Sequence, residues 1–378
     1  MEKFIDRSDF PATEDCAYLN AASIALMPKV AGEAIVEWNR ELAERGTTNF
    51  DEDAEDKVFQ DLHRAAARLY GAREDDIAVA SSASEFLCSL AWAIYPKQGT
   101  NIVTTDIEHP TVTYPWMRVA KQSGAQIRMA KGRRGAALPE DVIKLIDDRT
   151  SVVAISHVEY GSGECFNMAE LSAIAHRHGA LLIVDASQSS GAVPIDVVGW
   201  EVDALVSTGY KWLCGPFGAA ILYLSPKLRH LEPGLVGWRS ATDVWNFVAD
   251  RIGYPSEARR FEFSTMNYGS AIALARAIEY LQKVGIERIF KHNIALADLL
   301  IEGLKELGGN VSPYLSGLRS STVNVQFPGH DQNRLAAGLN AAGVIVSHRM
   351  GGVRVSPHLY NTKDDIYQAL SVLKDLIT

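Results

Sequence analysis

Cysteine is scarce and scattered in this chain of 378 residues: Cys16, Cys88, Cys165 and Cys214 show none of the Cys-x-x-Cys spacings that hold zinc or cycle as a redox dithiol. Reduced thiols and a cytoplasmic location are expected. Long apolar runs are missing too. No stretch approaches the roughly 20 residues that a bilayer crossing needs, and the start, Met1-Glu2-Lys3-Phe4-Ile5-Asp6, lacks the apolar core of a secretion signal. Basic residues are outnumbered, 37 Lys and Arg against 46 Asp and Glu, and the net charge of -9 argues against a general binder of nucleic acid or anionic membrane. It leaves room for a local basic pocket. There is no fixed-period repeat or low-complexity tract, and no Gly-x-Gly-x-x-Gly turn follows the first strand, which removes the main support for a nicotinamide dehydrogenase. The one His-x-His pair, His176 and His178, closes a helical segment before Gly179, where imidazoles complement the helix dipole, so no metal site is read from it.

What is present is an ordinary globular composition, 47% hydrophobic and 22% charged, in a chain long enough for a large domain and a smaller companion. Short apolar runs at 77–80, 101–105, 126–130, 152–156, 181–185, 204–207 and 219–224 alternate with segments of helix length. That pattern predicts an α/β fold with a seven-stranded, mainly parallel sheet covered on both faces. After Tyr268 the pattern changes to long helices over 271–284 and 286–307, strands over 321–327, 343–347 and 352–356, and a closing helix from Thr362. The expected division is a large domain over 15–268 and a smaller α+β domain over 269–378, completed by 1–14.

The chemistry concentrates at the strand ends, where open α/β sheets gather their functional groups. Lys211 follows an apolar run across the turn Ser207-Thr208-Gly209-Tyr210 and precedes Trp212-Leu213; desolvation there lowers an ammonium pKa and frees an amine that attacks carbonyls. Asp185 closes the 181–185 run. A lysine for an aldehyde and an aspartate for a pyridinium nitrogen are what pyridoxal phosphate (PLP) requires, and Gln188 is placed to bond the ring hydroxyl. Ser81-Ser82-Ala83-Ser84-Glu85 opens a helix with small residues, reading equally as a capping box and as a phosphate cradle to which Thr208 adds a hydroxyl. His109, before Pro110, is either a loop histidine bonded to backbone or a ring stacked on the cofactor. Arg354 alternates with Val353 and Val355, so its fork suits either a substrate carboxylate or solvent; His348 and Arg349 precede it.

At these residues the sequence resembles the class V aminotransferase family of PLP enzymes, which includes cysteine desulfurases, kynureninase and isopenicillin-N-epimerase-like proteins. The resemblance spans nearly the whole chain and rests on four ordered motifs: Val184-Asp185-Ala186-Ser187-Gln188; Ser207-Thr208-Gly209-Tyr210-Lys211-Trp212 with Gly215-Pro216; Arg260-Phe261-Glu262 through Thr265-Met266-Asn267; and Arg354-Val355-Ser356-Pro357-His358 with Tyr360-Asn361-Thr362. It implies the fold-type I architecture and a homodimer with active sites at the subunit interface. It implies Lys211 as the aldimine lysine and catalytic base, Asp185 as the pyridinium partner, Gln188 as the ring-hydroxyl contact and His109 as the stacked ring. Ala83, Ser84, Thr208 and Tyr210 would hold the phosphate, joined by Thr265 from the partner subunit. Arg354 would take the substrate α-carboxylate, with Arg349 and Tyr160 on the substrate side. Desulfurases carry a cysteine on the loop before that arginine, but Val346-Ser347-His348-Arg349-Met350-Gly351-Gly352 has none. Where relatives place an asparagine near the cofactor, Tyr160 is expected. The function implied is Cα deprotonation of a small α-amino acid, ranked as aminotransferase first, β-eliminating C–S lyase second and epimerase third, with a non-catalytic relative that keeps the fold as a binding module ranked last.

Overall fold

The structure is a computed structural model and describes residues 4–378. Strand β1 (Ala17–Tyr18) precedes helices α1 (Lys29–Arg45), α2 (Glu52–Asp56) and α3 (Gln60–Tyr70). Strands and helices then alternate: β2 (Ile77–Ala80), α4 (Ala83–Ile94), β3 (Asn101–Thr105), α5 (Pro110–Ser123), β4 (Gln126–Ala130), α6 (Pro139–Ile143), β5 (Thr150–Ser156), α7 (Met168–Arg177) and β6 (Leu181–Asp185). β7 (Ala204–Thr208) and β8 (Ala220–Leu224) follow without an intervening helix, and an irregular stretch leads to α8 (Tyr268–Val284). The chain finishes with α9 (Ile286–Glu306), β9 (Asn310–Val311), β10 (Val323–Gln326), α10 (Gln332–Ala341), β11 (Val344–Ile345), β12 (Ser347–Arg349), β13 (Gly352–Val355) and α11 (Lys363–Ile377).

The expected seven runs form one sheet in the order β2-β8-β7-β6-β5-β3-β4. Only β8 runs against its neighbours. The reason lies in the link 209–219, which turns back on itself instead of crossing over a helix as a parallel connection must. Period-two alternation splits the strand residues between two cores. Val79, Val153, Ile155, Leu182, Val184 and Leu205 pack beneath α3 and α8, whereas Ala78, Ile102, Val152, Ile183 and Val206 pack beneath α4 and α5. Both faces are therefore covered except at the edge strand β4, where Gln126 is exposed.

The smaller sheet has the antiparallel order β12-β13-β10-β9, with a core of Leu296, Leu300, Val323, Val325, Leu339 and Val355 that Ala17 and Leu19 complete from the start of the chain. The single strand expected over 343–347 is two. β11 pairs with β1 and β12 with β13, because Asn340 Oδ1 takes the Val346 amide at 2.8 Å and diverts it from the ladder. The division expected at residue 269 falls inside α8, whose buried face joins the core of the large sheet through Ala271, Leu274 and Ile278.

Candidate active site

Because β3, β5, β6 and β7 are parallel, their carboxyl ends open onto one edge. There Asp185 ends β6, Thr208 ends β7, and the segments carrying His109 and Tyr160 leave β3 and β5. A cavity of about 530 Å³ lies at that edge, lined among others by His109, Tyr160, Gln188, Tyr210, Lys211, Arg349 and Arg354. Seven residues from distant parts of the sequence thus share one wall.

Lys211 sits in the β7–β8 link. Gly209 N donates to Ala219 O and Gly215 N to Gly209 O, both at 2.9 Å, so the loop closes on itself. Trp212 is wholly buried beside it; its Nε1 donates to Gln188 Oε1 at 2.8 Å, and His358 Nε2 donates to its carbonyl at 3.0 Å. Lys211 Nζ itself makes no hydrogen bond or ion pair with the described residues, and stands 5.9 Å from the Tyr210 ring centre. Burial, followed by repulsion from Arg354 and Arg349, outweighs attraction from Asp185 and lowers the ammonium pKa to about 8.

Asp185 is buried. One oxygen accepts the Ser187 amide at 2.8 Å, and the other has no donor among the described residues, an acceptor left for a ligand N–H. Gln188 spends one amide hydrogen on Ala22 O at 3.0 Å and keeps a second. His109 caps α5, its Nδ1 accepting from Thr111 N at 3.3 Å, and meets the Tyr160 ring edge-on with centres 5.4 Å apart. Burial first, then the Lys211 charge, lower its pKa, which favours a neutral ring with an open face.

The residues expected to hold phosphate are placed less uniformly. Tyr210 lines the cavity. Ala83 and Ser84 begin α4 one step away, and the Ser84 hydroxyl bonds that of Thr111 at the start of α5, so two helix N-termini face one another across a pair of hydroxyls, an arrangement suited to an anion. Thr208 lies behind, its amide donating to Ser187 Oγ at 3.2 Å. Thr265 is outside this cavity; its hydroxyl accepts from Trp238 Nε1 at 3.3 Å in another part of the surface.

Arg354 is 2% exposed. Nη1 donates to Tyr160 O at 2.7 Å and Nη2 to Ser23 Oγ at 2.6 Å, while Nε has no partner. Among the described residues no carboxylate pairs with it, and none lines the cavity. Burial and the nearby Arg349 charge lower its pKa to about 9; the cation persists at neutral pH and lacks a counter-ion. Arg349 is exposed, its guanidinium donating to His348 O at 2.7 Å. Arg319, by contrast, is engaged with Asp298.

Ser23 and Thr111 were not legible as site residues. Ser23 has no motif around it, being delivered by the crossing of the N-terminal segment. Thr111 follows His-Pro at a helix start, a signal that points to an anion only once α4 is known to face it. No cysteine lines the cavity: Cys165 and Cys214 are buried and Cys16 and Cys88 lie elsewhere. A hydrogen-bond-free lysine, an aspartate with an open oxygen and two facing helix N-termini form a donor and acceptor set that fits PLP. Lys211 would hold the aldehyde carbon, Asp185 the ring nitrogen, and Ser84, Thr111 and Tyr210 the phosphate.

A model of the aminotransferase class-V family matches residues 17–369. The probable cysteine desulfurase of Pyrococcus abyssi is 30% identical over 98% of this chain and 96% of its own length. The kynureninase of Bacillus cereus is 26% identical over 98% of this chain and 90% of its own. The apo structure of the cysteine desulfurase from Thermococcus onnurineus NA1 superposes with a TM-score of 0.88 at 28% identity, covering 98% of this chain and 97% of that one.

Proposed function

The chain belongs to the class V aminotransferase family, and from that premise we propose that it is a PLP-dependent enzyme that removes the Cα proton of a small α-amino acid and transfers its amino group. The observation that carries the reading is Arg354: a buried guanidinium with no protein carboxylate, in the same cavity as a lysine with a depressed pKa. An uncompensated buried charge is costly, and a substrate carboxylate supplies its partner through a two-pronged bond.

PLP bound there supplies an electron sink for the charge left at Cα. The protein's own groups do the rest. Arg354 fixes the carboxylate, with Ser23 and the Tyr160 carbonyl holding its fork in place. Lys211, whose pKa of about 8 puts free amine within reach of neutral pH, takes the Cα proton. Asp185 would hold the ring nitrogen, and His109, its pKa lowered first by burial, would offer a neutral ring to the cofactor.

β-Elimination at a carbon–sulfur bond is the second reading, favoured by the desulfurase name of the Pyrococcus relative. A persulfide-forming desulfurase is not, since no cysteine lines the cavity. We also infer a homodimer. Thr265 lies away from the cavity that its motif is expected to serve, beside a segment 236–253 on which Val236, Phe247 and Ile252 are exposed, so a second copy is the source of the missing contact. The experiment is a panel of amino acids, including acidic and sulfur-substituted ones, given to the PLP-loaded protein with and without a keto-acid acceptor. Keto acid formed only with acceptor supports transamination; pyruvate and thiol formed without it overturn that in favour of the lyase; no turnover of any substrate overturns both.

A further inference from the structure

Beneath the cavity stand two carboxyl groups that the reaction does not use. Glu108, the residue before His109, accepts from Ser156 N at 2.9 Å and from Ser156 Oγ at 2.5 Å, and Ser156 is the partner of Asp185 across β5 and β6. Glu159, the residue before Tyr160, is 1% exposed, and neither of its side-chain oxygens has a donor. An ionised carboxylate there would have given up water for nothing. Protonation resolves the conflict: Glu159 then becomes a donor, and the acceptor beside it is Glu108. Burial, the largest cause, raises both pKa values above the ordinary carboxyl range; the charge of Asp185 adds to it at Glu108, where the bond to Glu159 works the other way, and the charges of Glu108 and Glu164 add to it at Glu159. The groups facing the pair are Asp185 from β6, Glu164 across the turn and Tyr160 beside it.

We propose that Glu108 and Glu159 are positioning residues that share one proton, and that this bond ties the segment carrying His109 to the turn carrying Tyr160. The shared proton removes one negative charge from beside Asp185. His109 and Tyr160 are adjacent in the cavity, edge to face, yet 51 positions apart in sequence, and each directly follows one member of the carboxyl pair. The inference rests on the reading above only for what His109, Tyr160 and Asp185 do there.

The test begins on the protein without cofactor. Infrared spectra in D2O at neutral pH should show the carbonyl stretch of a protonated carboxyl group, lost in Glu159→Gln, whose amide donates to Glu108 without a proton. Stability gives a second readout. The folded pair holds its proton more tightly than the unfolded chain, so wild type should lose stability relative to Glu159→Gln as pH rises from the ordinary carboxyl range toward neutrality; the buried histidines affect both proteins alike and cancel in the difference. In the loaded protein Glu159→Gln should keep wild-type PLP affinity, and Glu159→Leu, which has no donor, should lose roughly tenfold, the worth of one hydrogen bond. Absence of the acid band from wild type, or a pH-independent stability difference, overturns the proposal even if Glu159→Leu fails to fold. A band that is present and lost in Glu159→Gln, in a protein that binds no PLP, upholds the pair and overturns the functional reading instead.

Discussion

At the scale of single residues the site is defined by charges that lack protein partners. Lys211 and Arg354 are both cations pressed by burial and by the neighbouring Arg349 charge, which the attraction of Asp185 offsets only in part at Lys211. For Lys211 the consequence is a pH dependence: the free amine grows as pH rises through about 8, so the rate at which PLP is captured by the cofactor-free protein should climb through that pH and not near the ordinary lysine value of 10.5. The sign for stability follows. The unfolded chain keeps a proton between those two values that the folded chain has released, so stability from this group rises with pH across that interval. Stopped-flow capture rates and pH-dependent melts measure the two effects. For Arg354 the fork matters as well as the charge. Arg354→Ala should lower kcat/KM roughly 10- to 100-fold, matching about 1.5–3 kcal/mol for charged hydrogen bonds, and Arg354→Lys should recover only part of it because a point charge cannot replace a two-pronged donor. Steady-state kinetics on the best amino acid of the panel decide this.

At the scale of elements, the site depends on how strand ends and turns are aimed. The turn that carries Tyr160 is closed by Glu159 N to Glu164 O at 2.8 Å and by Gly163 N to Glu159 O at 2.9 Å. Gly163 has φ +82, and an added Cβ would run into the Thr322 carbonyl. Gly163→Ala should therefore cost about 1–3 kcal/mol, read by urea denaturation, and displace Tyr160 so that substrate KM rises. Much at this scale was legible beforehand. The seven runs of the large sheet appear within two residues of their expected bounds because buried parallel strands write themselves as short apolar runs between helices. What was not legible depends on contacts between distant segments. β1 is two residues long and exists because β11 lies beside it. The split of 343–347 depends on an Asn340 side chain. Ser23 reaches Arg354 only because Leu19 and Ser356 pair across the start and end of the chain, Ser356 N donating to Leu19 O at 2.8 Å. The placement of Asp185 at a strand end and of Lys211 just beyond one was legible from the apolar runs before them; that of Thr111 was not, because its significance comes from a second helix.

At the scale of the whole molecule, the large sheet supplies the lysine and aspartate, and the smaller sheet supplies Arg354 through β13. His358 connects the two, its Nε2 bonded to the carbonyl of Trp212 and its Nδ1 to Asn293 at 3.1 Å. A second copy of the chain is the remaining element of the proposal. Phe247 is 71% exposed, so Phe247→Asp should shift a dimer toward monomer in sedimentation velocity and weaken PLP retention, whereas an unchanged sedimentation coefficient in a folded variant would remove that segment from the interface. The claim on which everything else depends is the covalent role of Lys211. Wild-type protein loaded with PLP, reduced with borohydride, digested and mapped by mass spectrometry tests it most directly. The cofactor's mass should appear on the peptide containing Lys211, with no labelled peptide from Lys211→Ala; a label on another lysine, or none in wild type, would rule out that role.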